Sequence, residues 1–231
     1  MELFYDPQFS GNGLLNEAES KHCINVLRHK LDDIITVTNG KGSFFECKII
    51  SAHPKRCELA LITQATENER SFKLHLAVAP TKSSDRFEWL LEKAVELGVD
   101  EITPLQCNHS ERKKVRPERI EKVVVAAMKQ SLKAHLPKIN ALTPFKNFIK
   151  NTGEYKPFIA HCHSSSKNPL KNCYQSGTNA LVCIGPEGDF SEQEVSDATA
   201  LGFTPVSLGE SRLRTETAGL IACHTIHLFN D

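Results

Sequence analysis

The sequence predicts an α/β protein: a layered domain of parallel strands and covering helices, preceded by a smaller β-rich domain. Three observations predict it. The first seventy residues read mainly as strands. From about Ser71 strands and helices alternate. Near the C-terminus two apolar strands run directly into glycine-containing turns that open helices. The polar, charged segment TENERS marks the boundary, giving domains 1–70 and 71–231.

In the first domain, TVTNGKGSFFECKII carries β-branched and apolar residues around Asn39-Gly40 and Lys41-Gly42, a hairpin signal. RCELALIT follows as a strand. One short helix, Glu19 to Arg28, is expected from Cys23, Ile24, Val26 and Leu27, although their spacing is irregular. The second domain opens with LHLAVA, a buried strand. A helix over Asp85 to Gly98 follows, with Phe87, Leu90, Leu91, Ala94 and Val95 as its apolar stripe and Gly98 as its left-handed stop. DEITPL completes a βαβ unit. The next helix starts at Pro117 and buries Ile120, Val123, Val124, Ala127 and Met128. KPFIAHC and NALVCIG read as strands separated by a Ser/Asn/Lys-rich loop. Ser191 and Glu194 form a capping box, Gly202 closes that helix, FTPVSLG is a strand, and Thr215 to Phe229 is the last helix.

Composition narrows the function classes. The chain of 231 residues has no basic segment followed by an apolar run at its start and no apolar stretch of membrane-spanning length, which favours a soluble, cytoplasmic protein. Its eight cysteines are scattered without a C-x-x-C pair, so free thiols are expected. Net charge is zero, which by itself counts against nucleic-acid binding. The charge is uneven, however: His109 to Lys138 holds nine basic and three acidic residues, a net of +6. A solvated helix face is the ordinary meaning of such a run, and a phosphate-binding face is the functional one.

Two segments can carry chemistry. In LVCIGPEGDFSEQEV a buried strand enters Gly185-Pro186-Glu187-Gly188 and then a capped helix, a place where α/β sheets bind ligands. In VSLGESRLRTETAGLIA a strand ends at Leu208-Gly209, a loop carries Arg212 and Arg214, and a helix begins at Thr215-Glu216-Thr217. Amides at such a helix start can hold an anion. Each segment alone also fits a plain surface turn. Neither G-x-G-x-x-G nor G-x-x-x-x-G-K-[ST] occurs, so the common dinucleotide and P-loop signatures are missing.

Taken together, GPEGDFSEQEV and SLGESRLRTETAG resemble the paired C-terminal signature of RsmE-type methyltransferases in the SPOUT superfamily. Supporting pieces occur in order: Lys21 to Arg28 (KHCINVLR), the APTKSSDRFEWLLEKAVELGVDEITPL segment, Ser110-Glu111-Arg112, and Ala127 to Ser131. Relatives often read P-R-I-L-R-T-E-T; here the second arginine is retained as Arg214 and the first stands one position off, at Arg212.

The resemblance implies a PUA-like β-barrel that helps hold RNA, followed by a SPOUT-type parallel-sheet domain with a trefoil knot, working as a homodimer. It implies transfer of a methyl group from S-adenosylmethionine to N3 of a uridine in 16S ribosomal RNA of the small subunit, leaving S-adenosylhomocysteine. The cofactor residues it implies are Ala160 and His161; Gly185, Pro186, Glu187 and Gly188; and Leu208, Gly209, Leu213, Arg214, Thr215, Thr217 and Ala218. Arg214 is the candidate for stabilising charge on a uracil oxygen, with a structural pair to Glu187 or Glu216 as its alternative. Glu187 is the candidate proton acceptor, with a turn-capping role as its alternative. Arg28, Lys82, Arg112, Lys113 and Arg116 are the RNA candidates. Three other readings stay open: a non-catalytic RNA-binding protein, a transfer-RNA methyltransferase, and a metal site at His161-Cys162-His163. The last lacks a third and fourth ligand at convincing spacing, and no metal is expected.

Overall fold

The computed structural model describes residues 2–68, 70–163 and 167–230. Glu69 of the expected boundary segment and residues 164–166 of the expected loop lie outside the described residues. The chain divides into two units: 1–69 with 125–136, and 70–124 with 137–231. The return of 125–136 to the first unit has no counterpart in the sequence reading.

The first unit contains β1 (Leu3–Tyr5), β2 (Gly13–Leu14), α1 (Glu17–Lys21), β3 (Ile34–Thr38), β4 (Ser43–Ser51) and β5 (Glu58–Thr66). They form a five-stranded sheet in the order β1-β3-β4-β5-β2. The β3–β4 hairpin is antiparallel as expected, and Gly40 (φ 72°) and Gly42 (φ 93°) supply the left-handed turn. In β4, Phe45, Cys47 and Ile49 alternate inward with exposed Glu46, Lys48 and Ile50. Phe4, Phe9, Leu15, Cys23, Val37 and Leu59 complete this core. Segment 125–136 is tied to the same unit by Lys129 Nζ on Glu19 Oε1 (2.5 Å) and by Thr38 Oγ1 donating to Ala134 O (3.2 Å).

The single helix expected over Glu19 to Arg28 is replaced by two pieces. Asn16 caps α1 by accepting the Glu19 N–H, and His22–Val26 then winds as a π-turn. The π-turn shifts the register, which explains why Cys23, Ile24, Val26 and Leu27 show no clean helical period. Arg28 ends the segment at φ 61°.

The second unit begins with β6 (Leu74–Val78), α2 (Ser84–Leu97) and β7 (Glu101–Gln106), the expected βαβ unit. Helix α3 (Pro117–Gln130) starts in this unit; Ile120, Val124, Ala127 and Met128 are buried on its apolar stripe. The short elements β8 (Lys138–Ile139), β9 (Thr143–Pro144) and α4 (Phe145–Phe148) precede β10 (Lys156–Ala160). Then come β11 (Asn168–Pro169), α5 (Leu170–Cys173), β12 (Ala180–Ile184), α6 (Glu192–Ala200), β13 (Thr204–Ser207) and α7 (Thr215–Leu228). The sheet runs β11-β13-β10-β12-β6-β7-β8 with every described pairing parallel, and β9 adds to β7.

Strands β6 and β12 are buried at every residue because helices cover both faces of the sheet, which is why they read as continuous apolar runs. α7 packs on α2, where Gly219 meets Leu90; a Cβ on Gly219 would lie 2.8 Å from Leu90 Cδ1. The capping box of α6 is formed as expected, with Glu194 Oε2 accepting the Ser191 N–H (2.8 Å) and Ser191 Oγ accepting the Glu194 N–H (3.2 Å). No described helix is long and apolar enough to cross a membrane.

Candidate functional site

A cleft of about 660 Å³ opens at the carboxyl ends of β10, β12 and β13. This is where a parallel sheet presents its loops to a ligand. Three loops form its walls. Ala160 ends β10, and His161, Cys162, His163 and Lys167 follow it; Asp189 follows β12; Ser207 ends β13, with Leu208 to Leu213 after it, and Ala218 of α7 closes one side.

Hydrogen bonds fix these loops to one another. Asp189 sits at φ 64° in the turn after β12, where its N–H donates to Pro186 O (2.9 Å). Its carboxylate accepts the Cys162 N–H on Oδ2 (2.6 Å) and the Phe190 N–H on Oδ1 (2.8 Å). His163 Nε2 bonds Phe190 O (2.7 Å), and Lys167 Nζ donates to His163 O. Thr215 Oγ1 donates to Gly185 O (3.1 Å), joining the start of α7 to the end of β12. Gly185 is closely packed here: a Cβ there would lie 3.0 Å from the Phe190 nitrogen.

His161 is the exception in this bonded set. Its side chain is buried, and both ring nitrogens are without a hydrogen-bond partner among the described residues. Burial, and then the neighbouring Lys167 charge, pushes its pKa down to about 4, so the ring is neutral at physiological pH. His75, the other histidine pushed down to about 4, is buried on β6 and bonded to Thr103 Oγ1 (2.8 Å), away from the strand ends that form the cleft.

The expected cofactor residues divide into two groups. Ala160, His161, Leu208, Gly209, Leu213 and Ala218 line the cleft. Gly185, Pro186, Glu187, Gly188, Arg214, Thr215 and Thr217 lie outside its lining, in the turn and helix start that hold the walls. Arg212 lines the cleft and Arg214 occupies the N-cap position of α7. Among the described residues Arg214 forms no ion pair with Glu187 or Glu216. Glu216 lies 3.8 Å from Arg86, and Glu187 Oε1 accepts the Lys82 N–H (2.8 Å). The sequence reading did not single out Lys167, Asp189, Ser207 or Glu210. A loop's contribution to a cleft leaves no periodic trace, although an aspartate after a glycine-rich turn is a recognisable capping type.

His161 and His163 lie in the loop after β10, which ends at Ala160; their rings are 5.3 Å apart, tilted by 43°.

The basic stretch borders a second cleft of about 740 Å³ in the same unit, floored by Phe87, Val115 and Ile120 and rimmed by Lys114, Arg116 and Arg119. Arg119 is held by both Glu88 oxygens (2.9 and 2.6 Å). Arg112 also reaches this cleft, but its guanidinium donates to Thr81 O (2.9 Å) and Lys82 O (2.6 Å). Lys82 Nζ pairs with Glu111 (2.9 Å). Lys113 and Arg116 are exposed without an ion pair among the described residues. Arg28 is exposed in the first unit.

Comparison with known proteins finds the RNA methyltransferase domain over residues 68–227 and the RNA methyltransferase PUA domain over residues 15–62. The chain is 42% identical to a solved Porphyromonas gingivalis protein described as a "probable rRNA-methyltransferase". That match covers 100% of this chain and 98% of the other, with a TM-score of 0.93. It is 28% identical to the ribosomal RNA small subunit methyltransferase E of Neisseria gonorrhoeae, solved bound to S-adenosyl methionine, over 100% and 98% of the two chains at a TM-score of 0.86. It is also 27% identical to the Bacillus subtilis protein of that name, over 95% of this chain and 90% of the relative.

Proposed function

The chain belongs to the RNA methyltransferase domain family, with that family's PUA domain ahead of it, and from this we propose that it methylates N3 of a uridine in 16S ribosomal RNA of the small ribosomal subunit. The observation that carries the reading is the cleft at the ends of β10, β12 and β13, in a chain whose Neisseria relative was solved with S-adenosyl methionine bound. The cleft fits such a molecule. Its volume lies within the range of roughly 300–1,000 Å³ usual for small-molecule sites, and a buried, unpartnered imidazole lines it.

When bound, S-adenosylmethionine supplies a methyl group activated on a sulfonium sulfur and is left as S-adenosylhomocysteine. The residues of the chain have the remaining tasks. Asp189 and Thr215 hold the walls in register, so that the acceptor nitrogen meets the methyl group in line; orientation of this type supplies on the order of several kcal/mol. Arg214 stabilises negative charge on a uracil carbonyl oxygen as the N3 proton leaves. Glu187, anchored through Oε1, offers its other oxygen to that proton. Lys82, Lys113 and Arg116, with Arg28 in the first unit, contact RNA phosphates, while Arg112 holds the Thr81–Lys82 loop in place. The trefoil knot, the homodimer and the cytoplasmic location belong to the same reading.

Single-turnover methyl transfer to small-subunit RNA tests the two catalytic assignments. Arg214→Ala is expected to slow the step by about 100-fold or more, the usual loss for a removed charge-stabilising donor. Glu187→Gln is expected to slow it less while preserving the Lys82 contact. Near-normal rates in both variants would refute the assignments.

A further inference from the structure

We propose that the His161 ring binds the adenosine half of the cofactor through its two nitrogens, one donating and one accepting. This rests on the reading of the cleft as an S-adenosylmethionine site.

Buried polar atoms in folded proteins almost always have a partner, and those that lack one call for a ligand or a water. Here the neighbours are satisfied within the protein. His163 bonds Phe190 O, Lys167 bonds His163 O, and Asp189 holds the Cys162 and Phe190 amides. Among the described residues, His161, at 6% exposure in the cleft wall, leaves both ring nitrogens open.

Polarity then selects the half of the cofactor. The methionine end is a zwitterion, and the cleft wall carries a charge of each sign to meet it, Arg212 and Glu210. A neutral imidazole offers one donor and one acceptor on opposite edges of the ring. Satisfying both takes polar groups spread along a ligand, as the ribose hydroxyls and adenine nitrogens are. A carboxylate and an ammonium crowded at one end do not provide that spread. An uncharged ring also adds no repulsion beside a cationic sulfonium.

Calorimetric titration of the full-length protein tests this with two probes, S-adenosylhomocysteine and 5′-methylthioadenosine, which lacks the amino-acid end. His161→Ala is expected to weaken both by about tenfold, and His161→Asn, which keeps a donor and an acceptor, to recover part of the loss. In the wild type, the ring nitrogen resonances of His161 are expected to shift on adding either probe. Unchanged affinity of His161→Ala for both probes overturns the inference and leaves the cofactor reading standing. A loss for S-adenosylhomocysteine alone also overturns it, because the ring would then serve the amino-acid end. Absence of binding by the wild type would instead overturn the cofactor reading and this inference with it.

Discussion

Asp189 shows how one side chain can organise a cleft: its two oxygens hold amides from two different loops, at Cys162 and Phe190. Asp189→Ala leaves both amides without an acceptor, a cost of about 1–3 kcal/mol, and should raise KM for the cofactor more than it lowers kcat. At the same scale, His75 gives a pH prediction. Burial holds its pKa at about 4, below the usual value near 6.5. Between those values the unfolded chain holds a proton that the folded chain excludes. Stability is therefore full above about pH 6.5 and falls as pH drops toward 4, by about 3 kcal/mol at most from this residue. Denaturant titrations across that range should show the loss, and His75→Gln should reduce it; an unchanged slope in the variant would contradict the assignment. His161 contributes in the same direction.

The glycines and arginines were legible in the sequence only as residue types. Gly185 reads as a place for ligand approach, and the structure adds that Phe190 packs closely over it. Arg112 reads as an RNA contact from its charge alone; that its guanidinium also donates to the Thr81 and Lys82 carbonyls is visible only in the structure. Sequence spacing carries no information about where a long side chain turns back.

Among the elements, those with strong local signals were readable in advance. Strands β6 and β12 are apolar throughout, α2 has a regular stripe ended by Gly98 (φ 91°), and α6 carries its capping box. The π-turn after α1 and the two-residue strands β2, β8, β9 and β11 were not readable, because two residues hold no period and the π-turn breaks the one it interrupts. Ser191→Ala removes one half of the α6 box and should cost about 1 kcal/mol, measurable as a lowered denaturation midpoint. Gly219→Val should cost considerably more, since the added atoms collide with Leu90 where α7 packs on α2. A Gly219→Val variant as stable as the wild type would show that this helix pair can move apart.

At the scale of the whole molecule, zero net charge coexists with a local excess of nine basic over three acidic residues in 109–138. If Arg116 contacts phosphate, RNA affinity should fall steeply with salt, and Arg116→Ala should reduce the logarithmic salt slope by about one. Arg112→Ala should weaken RNA binding mainly by freeing the Thr81–Lys82 loop that its guanidinium holds. The sequence changes from strands to alternating elements near residue 70, and the structure divides into 1–69 with 125–136 and 70–124 with 137–231. The return of 125–136 to the first unit is a long-range contact that no local pattern encodes. The order β13-β10-β12-β6 was equally hidden, since parallel strands with similar apolar runs can be arranged in many ways.

The central claim concerns the reaction and its target, and mass spectrometry of small-subunit ribosomal RNA tests it most directly, comparing cells with and without the gene. The account predicts loss of a single N3-methyluridine from 16S RNA, restored by the wild-type protein and not by Arg214→Ala. An unchanged modification profile in that RNA would contradict it.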